Sequence, residues 1–295
     1  FSEMILTPPN RQNILWPCDG ILFEERNMLS DNTPSFFDKG ETEEQSYCLL
    51  FPYQEYKVKS DGFHEVIRNS QLNWTSEKAI DIASRMLEKI INLNEDGYIY
   101  GDLHFSRFLF DYEEKLSFMD FSPFLFFSDD LQKPMKNKVY MFHKEFYSLE
   151  FAEPSLVKGK NLFIDYQAQN YSICAMLFYL FFGRYPYDGR LLAGYSESDE
   201  LHHNIKFRDY HRMPVFIFDP YDTSNNLGSF DDEQRVVKLW ADCPQIISEM
   251  FFRTLRQANA ERKGSVQEPN PTPYEWLEAF VNAGWIRSFS DQKRK

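Results

Sequence analysis

The chain of 295 residues is 43% hydrophobic and 26% charged, the composition of a soluble globular protein with one large or two modest domains. Its net charge of −13 argues against nucleic acid as the main partner, because phosphate neutralisation requires Lys and Arg side chains. Its four cysteines lie far apart and form no C-x-x-C pair, which argues against a zinc site or disulfide framework and indicates a reducing compartment, the cytoplasm.

Short extended segments are predicted near the start of the chain. Residues 1–6 are typical of a helix end, and we therefore expect a fragment that lacks its true N-terminus. Residues 13–17 (N-I-L-W-P) and 20–23 (G-I-L-F) are predicted as two short extended segments around a turn, and residues 47–51 (Y-C-L-L-F) as an apolar strand. Pro52 breaks that strand, which is consistent either with a hinge between two lobes or with an ordinary strand end.

A long amphipathic helix is predicted from Ser76 to Leu93. Gly97 lies just beyond its end, where a helix stop signal is expected. The apolar residues recur at three- and four-residue spacing, which places them on one face. These residues are Ala79, Ile82, Ala83, Met86, Ile90 and Leu93.

Two carboxylates, Asp102 and Asp120, each follow a short apolar run and begin a loop. Between them residues 108–110 and 116–119 predict the two strands of a hairpin. A hairpin of this kind can hold two acids at one site, where one orients a nucleophile and the other holds a metal, as phosphoryl transfer requires. The alternative is that both are solvated loop aspartates.

The second half of the chain is predicted to be mainly helical. Residues 167–182 form a buried central helix that Gly183 closes, because their apolar coverage is too wide for a surface helix. Residues 236–255 are helical with an interruption at Pro244, and residues 274–283 form a last short helix. The side chains of that last helix predicted to face inward are Trp276, Leu277 and Phe280.

Residues 191–232 have few clean periods and are predicted as loop with short helices. His202, His203 and His211 have no acids or cysteines at ligand spacing and are predicted to lie at the surface. The longest apolar run, residues 173–182, is too short to span a bilayer, so no membrane partner is expected.

Five segments occur in an order that resembles protein kinases. Residues 101–109 (G-D-L-H-F-S-R-F-L) resemble the catalytic loop H-R-D-L-x-x-x-N and the two apolar residues after it. Residues 120–122 (D-F-S) resemble the metal-binding D-F-G, and residues 153–156 (E-P-S-L) the A-P-E-L that closes the activation segment. Residues 172–187 resemble the central helix with its G-x-x-P-F, and residues 271–276 the R-P-T-x-x-E-W of the large lobe.

The likeness is strongest to one bacterial branch. Residues 16–17 (W-P), 51–52 (F-P) and 186–190 (P-Y-D-G-R) are most similar to bacterial serine/threonine-kinase-like proteins often associated with helix-hairpin-helix domains. Aminoglycoside and choline phosphotransferases also carry a G-D-L-H loop, so that motif does not discriminate. Residues 153–154 and the central helix with its Pro-Tyr turn favour protein kinases.

The resemblance implies an α+β, bilobal protein-kinase-like fold. Residues 1–54 would be an incomplete, small β-rich N-lobe with the hinge, and residues 55–295 a mainly helical C-lobe. Asp102 would accept or orient the proton of a substrate hydroxyl group, and Asp120 would bind the Mg²⁺ that bridges the ATP phosphates. The residues that the resemblance places at the nucleotide are Leu50, Phe51, Tyr53, His104 and Leu109.

Arg107 stands where the family has the Asn that helps to hold a metal ion. A guanidinium group cannot ligate Mg²⁺, because it is always charged and has no acceptor lone pair. It could pair with Asp120 and quench the metal site, or contact a phosphate directly and replace the charge of one ion. Arg107 is therefore a candidate catalytic residue in either sense.

Other positions also depart from the family pattern. Gly101 replaces the Arg before the catalytic Asp, which argues against control by phosphorylation of the activation loop, and Ser122 replaces the Gly of D-F-G. Ser155 and Asn270 replace the two members of a buried ion pair, a joint loss that avoids the roughly 3–5 kcal/mol cost of one unpaired charge. Gln169 replaces an Asp that bonds the catalytic-loop backbone, and its amide oxygen could accept the same bond.

Three functions are compatible with this pattern. The first is a serine/threonine protein kinase that uses Mg-ATP and a protein substrate or signalling partner the residues do not identify. The second is a pseudokinase that serves as a binding or scaffold module, and the third a small-molecule phosphotransferase. A glycine-rich phosphate loop and a strand lysine are not found in the 295 residues, so we expect this stretch by itself to be inactive.

Overall fold

The structure is a computed structural model, and the residues that it describes lie mostly in the second half of the chain. They include isolated strand segments near the start and longer helical stretches after residue 75. The described residues are 19–24, 45–50, 76–110, 116–119, 125–127, 149–160, 164–192, 206, 209–228, 230–257 and 268–287.

Helices dominate this part of the chain, joined by short strands and 3₁₀ turns. The helices are α1 Ser76–Glu95, α2 Pro154–Val157, α3 Tyr166–Phe182, α4 Asp231–Ala241, α5 Gln245–Gln257 and α6 Pro273–Asn282. The strands are β1 Asp19–Glu24, β2 Gln45–Leu50, β3 Tyr98–Tyr100, β4 Phe108–Phe110, β5 Leu116–Met119 and β6 Leu125–Phe127. The 3₁₀ turns are Phe105–Arg107, Arg190–Leu192 and Thr223–Asn225.

Helix α3 is the centre of the hydrophobic core and is buried on nearly every side. At its start the carboxylate of Asp165 accepts a hydrogen bond from the Ala168 N–H at 2.8 Å. At its end Gly183 takes a left-handed conformation with φ 68°, which a glycine adopts without steric cost. The prediction of a buried central helix that ends at Gly183 is confirmed.

Helix α1 lies against α3 and α6 through the apolar face that its sequence predicts. All six residues predicted for that face are buried. The helix runs two residues further than predicted, to Glu95, and Gly97 follows with φ 85°. The predicted helix and its stop signal are therefore confirmed.

The last helices complete the core around α3. Pro244 separates α4 from α5, as predicted, because a proline interrupts the backbone hydrogen bonds of a helix. Helix α6 begins with a capping box between Thr272 and Glu275, and packs against α1 and α5. Residues of α6 predicted to face inward are buried, and they are Trp276, Leu277 and Phe280.

The described strands form three antiparallel pairs. Strand β1 pairs with β2, β3 pairs with β6, and β4 pairs with β5. The β4–β5 pair is the predicted hairpin, with Phe108 opposite Met119 and an irregularity between Leu109 and Phe110. Its predicted turn, residues 112–115, lies outside the described residues.

The prediction for His211 is wrong, because this side chain is buried and not at the surface. Its Nε2–H donates to the backbone carbonyl of Leu149. The prediction considered only acids and cysteines near His211 in the sequence, so it missed this backbone partner. Burial lowers the pKa of His211 to about 4, although the Leu149 carbonyl acts in the opposite direction. The imidazole is therefore neutral near pH 7. His202 and His203 lie outside the described residues.

The coarse fold prediction holds for the described residues, which form a mainly helical body with short antiparallel strands. Within the same residues, no helix has the combination of length and apolar character needed to cross a membrane.

Candidate active site

Asp102 follows strand β3 directly and lies in the turn before the 3₁₀ segment Phe105–Arg107. Strand β3 is buried along its whole length, between α1 and α3, and pairs with β6. Asp102 itself is 4% exposed, which is rare for a carboxylate without polar partners. It therefore has to be stabilised by groups close to it.

Two side chains of the following turn contact the same oxygen of Asp102. Arg107 Nη2 donates to Asp102 Oδ2 at 2.6 Å. His104 Nε2 lies 3.4 Å from the same Oδ2 atom. The Arg107 and His104 side chains retain 21% and 16% exposure, so this cluster reaches the protein surface although its carboxylate does not.

The ionised form of Asp102 is favoured despite its burial. Burial by itself would raise the pKa of this carboxyl group, because a charge is poorly solvated in the protein interior. His104 and Arg107 outweigh burial through their hydrogen bonds and charge, and hold the pKa of Asp102 below its ordinary value. The group is consequently an anion at neutral pH.

The turn that carries Arg107 is anchored in the aromatic core. The Arg107 N–H donates to the His104 carbonyl at 3.1 Å, which closes the turn. Phe105 is buried and packs edge-on against Phe151, with ring centroids 5.3 Å apart, and contacts Tyr179 of α3. The backbone positions of His104 and Arg107 relative to Asp102 are therefore set by core packing.

A pair of side-chain amides holds strand β3 just before Asp102. Gln169 Oε1 accepts from the Tyr100 N–H at 2.9 Å, and Asn94 Nδ2 donates to the Tyr98 carbonyl at 2.8 Å. The two amides also bond each other in both directions, at 3.2 and 3.1 Å. The prediction that the Gln169 amide oxygen can accept a backbone bond at this loop is confirmed. Asn94 was not predicted; a polar residue at the end of an apolar helix is the weak signal that marks it.

The structure brings some of the predicted site residues together and places others in the strand pairs. Asp102, His104 and Arg107 lie together. Arg107 contacts Asp102, a partner that was not among the two predicted for it. Leu50 lies opposite Asp19 in the β1–β2 pair, and Leu109 lies opposite Phe118 in the hairpin. The remaining predicted residues, Phe51, Tyr53 and Asp120, lie outside the described part of the chain.

Asn270 and Ser155, the two positions where the resemblance expects an ion pair, have separate partners. Asn270 bonds Gln167 of α3 twice, through its N–H at 2.6 Å and its Nδ2 at 2.9 Å. The Ser155 hydroxyl bonds the carboxyl of Glu153, which precedes α2. Burial raises the pKa of Glu153 to about 7, the Ser155 hydrogen bond opposes that rise, and the nearby Asp165 adds to it. The joint replacement leaves polar contacts on both sides.

The described part of the site has nitrogen donors, from His104 and Arg107, beside the Asp102 carboxylate. Among the described residues, no three or more His, Cys, Asp or Glu side chains form a group that could hold a metal ion. The resemblance assigns Arg107 to the position of a metal-binding Asn, and a guanidinium group offers only donors. Donors of this kind match phosphate oxygens. Asp120, to which the resemblance assigns one Mg²⁺, falls outside these residues.

No protein-family model matches the chain.

Proposed function

We propose that the chain is a protein-kinase-like domain, bilobal in its complete form, that carries out ATP-dependent phosphoryl transfer to Ser or Thr of a protein substrate. The observation that carries this proposal is the buried, ionised Asp102, which follows a strand held by Gln169 of the central helix. Its support is the order of motifs around that residue. Asp102, the hairpin β4–β5 and the central helix α3 follow one another along the chain in the order expected of a kinase C-lobe.

Each described residue has a definite role in this proposal. Asp102 orients the substrate hydroxyl group and accepts its proton. His104 and Arg107 supply donors beside Asp102 for the transferred phosphate. ATP, bound with Mg²⁺, supplies the phosphoryl group, and Asp120 is the residue proposed to hold the metal.

A second candidate function is a pseudokinase that binds partners without phosphoryl transfer. The 2.6 Å contact between Arg107 and Asp102 favours it, because the guanidinium group covers the oxygen that a substrate hydroxyl would approach. His104 and, after it, this Arg107 contact hold the pKa of Asp102 below its ordinary value against the effect of burial, which makes the carboxylate a weaker base. The two functions differ in one property, transfer of phosphate.

Transfer of labelled phosphate from ATP to the protein itself or to an added protein substrate separates the two functions. For a kinase, Asp102→Asn should lower transfer by about a hundredfold or more, since a positioned base contributes that much. Arg107→Asn should change the dependence of the rate on Mg²⁺, because it replaces donors for phosphate by a side chain with an acceptor oxygen. The protein is to be expressed in its full natural length, because transfer by a protein-kinase-like domain uses a glycine-rich loop and a lysine.

Arg85→Gln is a matched control, since Arg85 pairs with Asp81 on the surface of α1 and should not affect transfer. Transfer that appears only in Arg107→Asn would identify the natural protein as a pseudokinase. Transfer that persists at the wild-type rate in Asp102→Asn would contradict both the proposed reaction and the role of Asp102.

A further inference from the structure

Arg107 and His104 both direct a nitrogen at one oxygen of a carboxylate that is almost fully buried. Their own side chains are partly exposed, so the cluster reaches the surface through these two side chains while Asp102 stays buried. A small anion that approaches this cluster meets donors first.

We infer that this cluster is a binding site for a polyphosphate anion, and that Asp102 occupies its principal donor, Arg107, until such an anion arrives. Binding would draw the guanidinium group from the carboxylate to the phosphate oxygens. Asp102 would then be available to a substrate hydroxyl. This inference rests on the proposed function for its biological use, while the competition follows from the contact between Asp102 and Arg107.

The chemistry of the groups favours exchange of partners. A guanidinium group binds phosphate oxygens through parallel N–H donors, and polyphosphate carries more negative charge than one carboxylate. When Arg107 moves to the phosphate, Asp102 is left as a buried anion without its arginine partner, which costs free energy. His104 Nε2 lies 3.4 Å from the same oxygen of Asp102 and remains as a donor. The contact with Asp102 therefore weakens the site for polyphosphate without abolishing it.

The geometry of the turn keeps the exchange local. Arg107 is on the same turn as His104, and Phe105 between them is fixed against Phe151. The backbone need not move for a long arginine side chain to change its partner. Only the guanidinium end of the side chain has to move, by a few ångströms, roughly the length of one hydrogen bond.

Thermodynamic linkage gives this inference a distinctive consequence. When a ligand competes with Asp102 for Arg107, its binding free energy is reduced by the free energy needed to break the contact between Arg107 and Asp102. If a neutral amide replaces the carboxylate, this cost is smaller and the ligand binds more tightly. A ligand that instead uses Asp102 as part of its site would bind more weakly to the same variant.

Isothermal titration with inorganic pyrophosphate, in the presence of a chelator and without Mg²⁺, tests this consequence. Asp102→Asn should tighten pyrophosphate binding by about tenfold, the effect of one charge-assisted hydrogen bond. Arg107→Gln should abolish detectable binding. Arg85→Gln, which removes an arginine from a surface pair elsewhere, should leave the affinity unchanged.

Circular dichroism establishes that each variant is folded, and Asp102→Ser replaces Asp102→Asn if the amide variant is not. Weaker or equal binding in the folded Asp102 variant would overturn the inference, as would binding that survives Arg107→Gln. Absence of pyrophosphate binding to both the wild type and the Asp102 variant would overturn it too. The probe is inorganic pyrophosphate without nucleotide or metal. Its binding can therefore be observed whether or not the protein transfers phosphate from ATP, and the two tests can fail independently.

Discussion

One 3₁₀ turn separates Asp102 from Arg107, and this turn decides the properties of both side chains. Sequence order alone places a guanidinium group near the carboxylate but does not show its direction. The predicted partners of Arg107 were Asp120 or a phosphate, and its observed partner is Asp102. Residue chemistry was predictable here, while the choice among nearby acceptors depended on the rotamer of one flexible side chain.

Glu153 provides a prediction at the scale of a single residue. Its pKa is raised to about 7 in the folded protein, above that of an unfolded glutamate. Between those two values the folded state binds more protons, so stability should fall as pH rises from about 4.5 to 7. The contribution lost is on the order of 2 to 3 kcal/mol.

Urea unfolding of the wild type and Glu153→Gln over this pH range measures that contribution. The stability of the variant relative to the wild type should rise with pH and level off above pH 7, since Gln does not ionise. Glu278→Gln, at an exposed position of α6, is the control and should show no such trend. A constant difference between wild type and Glu153→Gln would show that Glu153 does not titrate in this range.

At the scale of elements, the helices were the predictable part of the chain. The spacing of apolar residues in α1, the glycine after α3 and the proline between α4 and α5 are local signals, and each was confirmed. The amide pair was not predictable, because Asn94 and Gln169 are distant in sequence and meet only when α1 packs against α3. The burial of His211 escaped prediction for a similar reason, since its partner is a backbone carbonyl.

The amide pair should determine how closely Asp102 and Arg107 interact. Gln169→Leu removes the acceptor of the Tyr100 N–H, and the strand before Asp102 loses an anchor. We expect the Asp102–Arg107 coupling energy to fall by about half from a starting value of roughly 0.5–3 kcal/mol. A double-mutant cycle in unfolding free energy, with Asp102→Asn and Arg107→Gln, measures this coupling with and without Gln169.

Gln167→Leu is the matched control background for this cycle. Gln167 lies on the same helix and also accepts a backbone N–H, but that of Asn270 and not of strand β3. Both leucine variants should lower stability by about 1–3 kcal/mol, because each leaves a backbone donor without its acceptor. Equal coupling energies in the two backgrounds would mean that Gln169 only supports the fold.

For the whole molecule, the described residues place the helical core and the Asp102 cluster in one body. The sequence order of the motifs predicted which residues would gather around the turn, because Asp102, His104 and Arg107 are close in the chain. The relation of this cluster to Phe51, Tyr53 and Asp120 stays a prediction, since it depends on segments outside the described residues. Nucleotide binding by the protein tests whether Asp120 and the Asp102 cluster belong to one site.

The melting temperature of the intact protein in Mg-ATP tests the proposed nucleotide site most directly. Bound ligand at about a hundredfold excess over its dissociation constant stabilises a protein by about 2.7 kcal/mol, which should raise the melting temperature by several degrees. We expect this rise in the wild type and its loss in Asp120→Asn. An unchanged melting temperature of the wild type at millimolar Mg-ATP would contradict a nucleotide-binding kinase-like site.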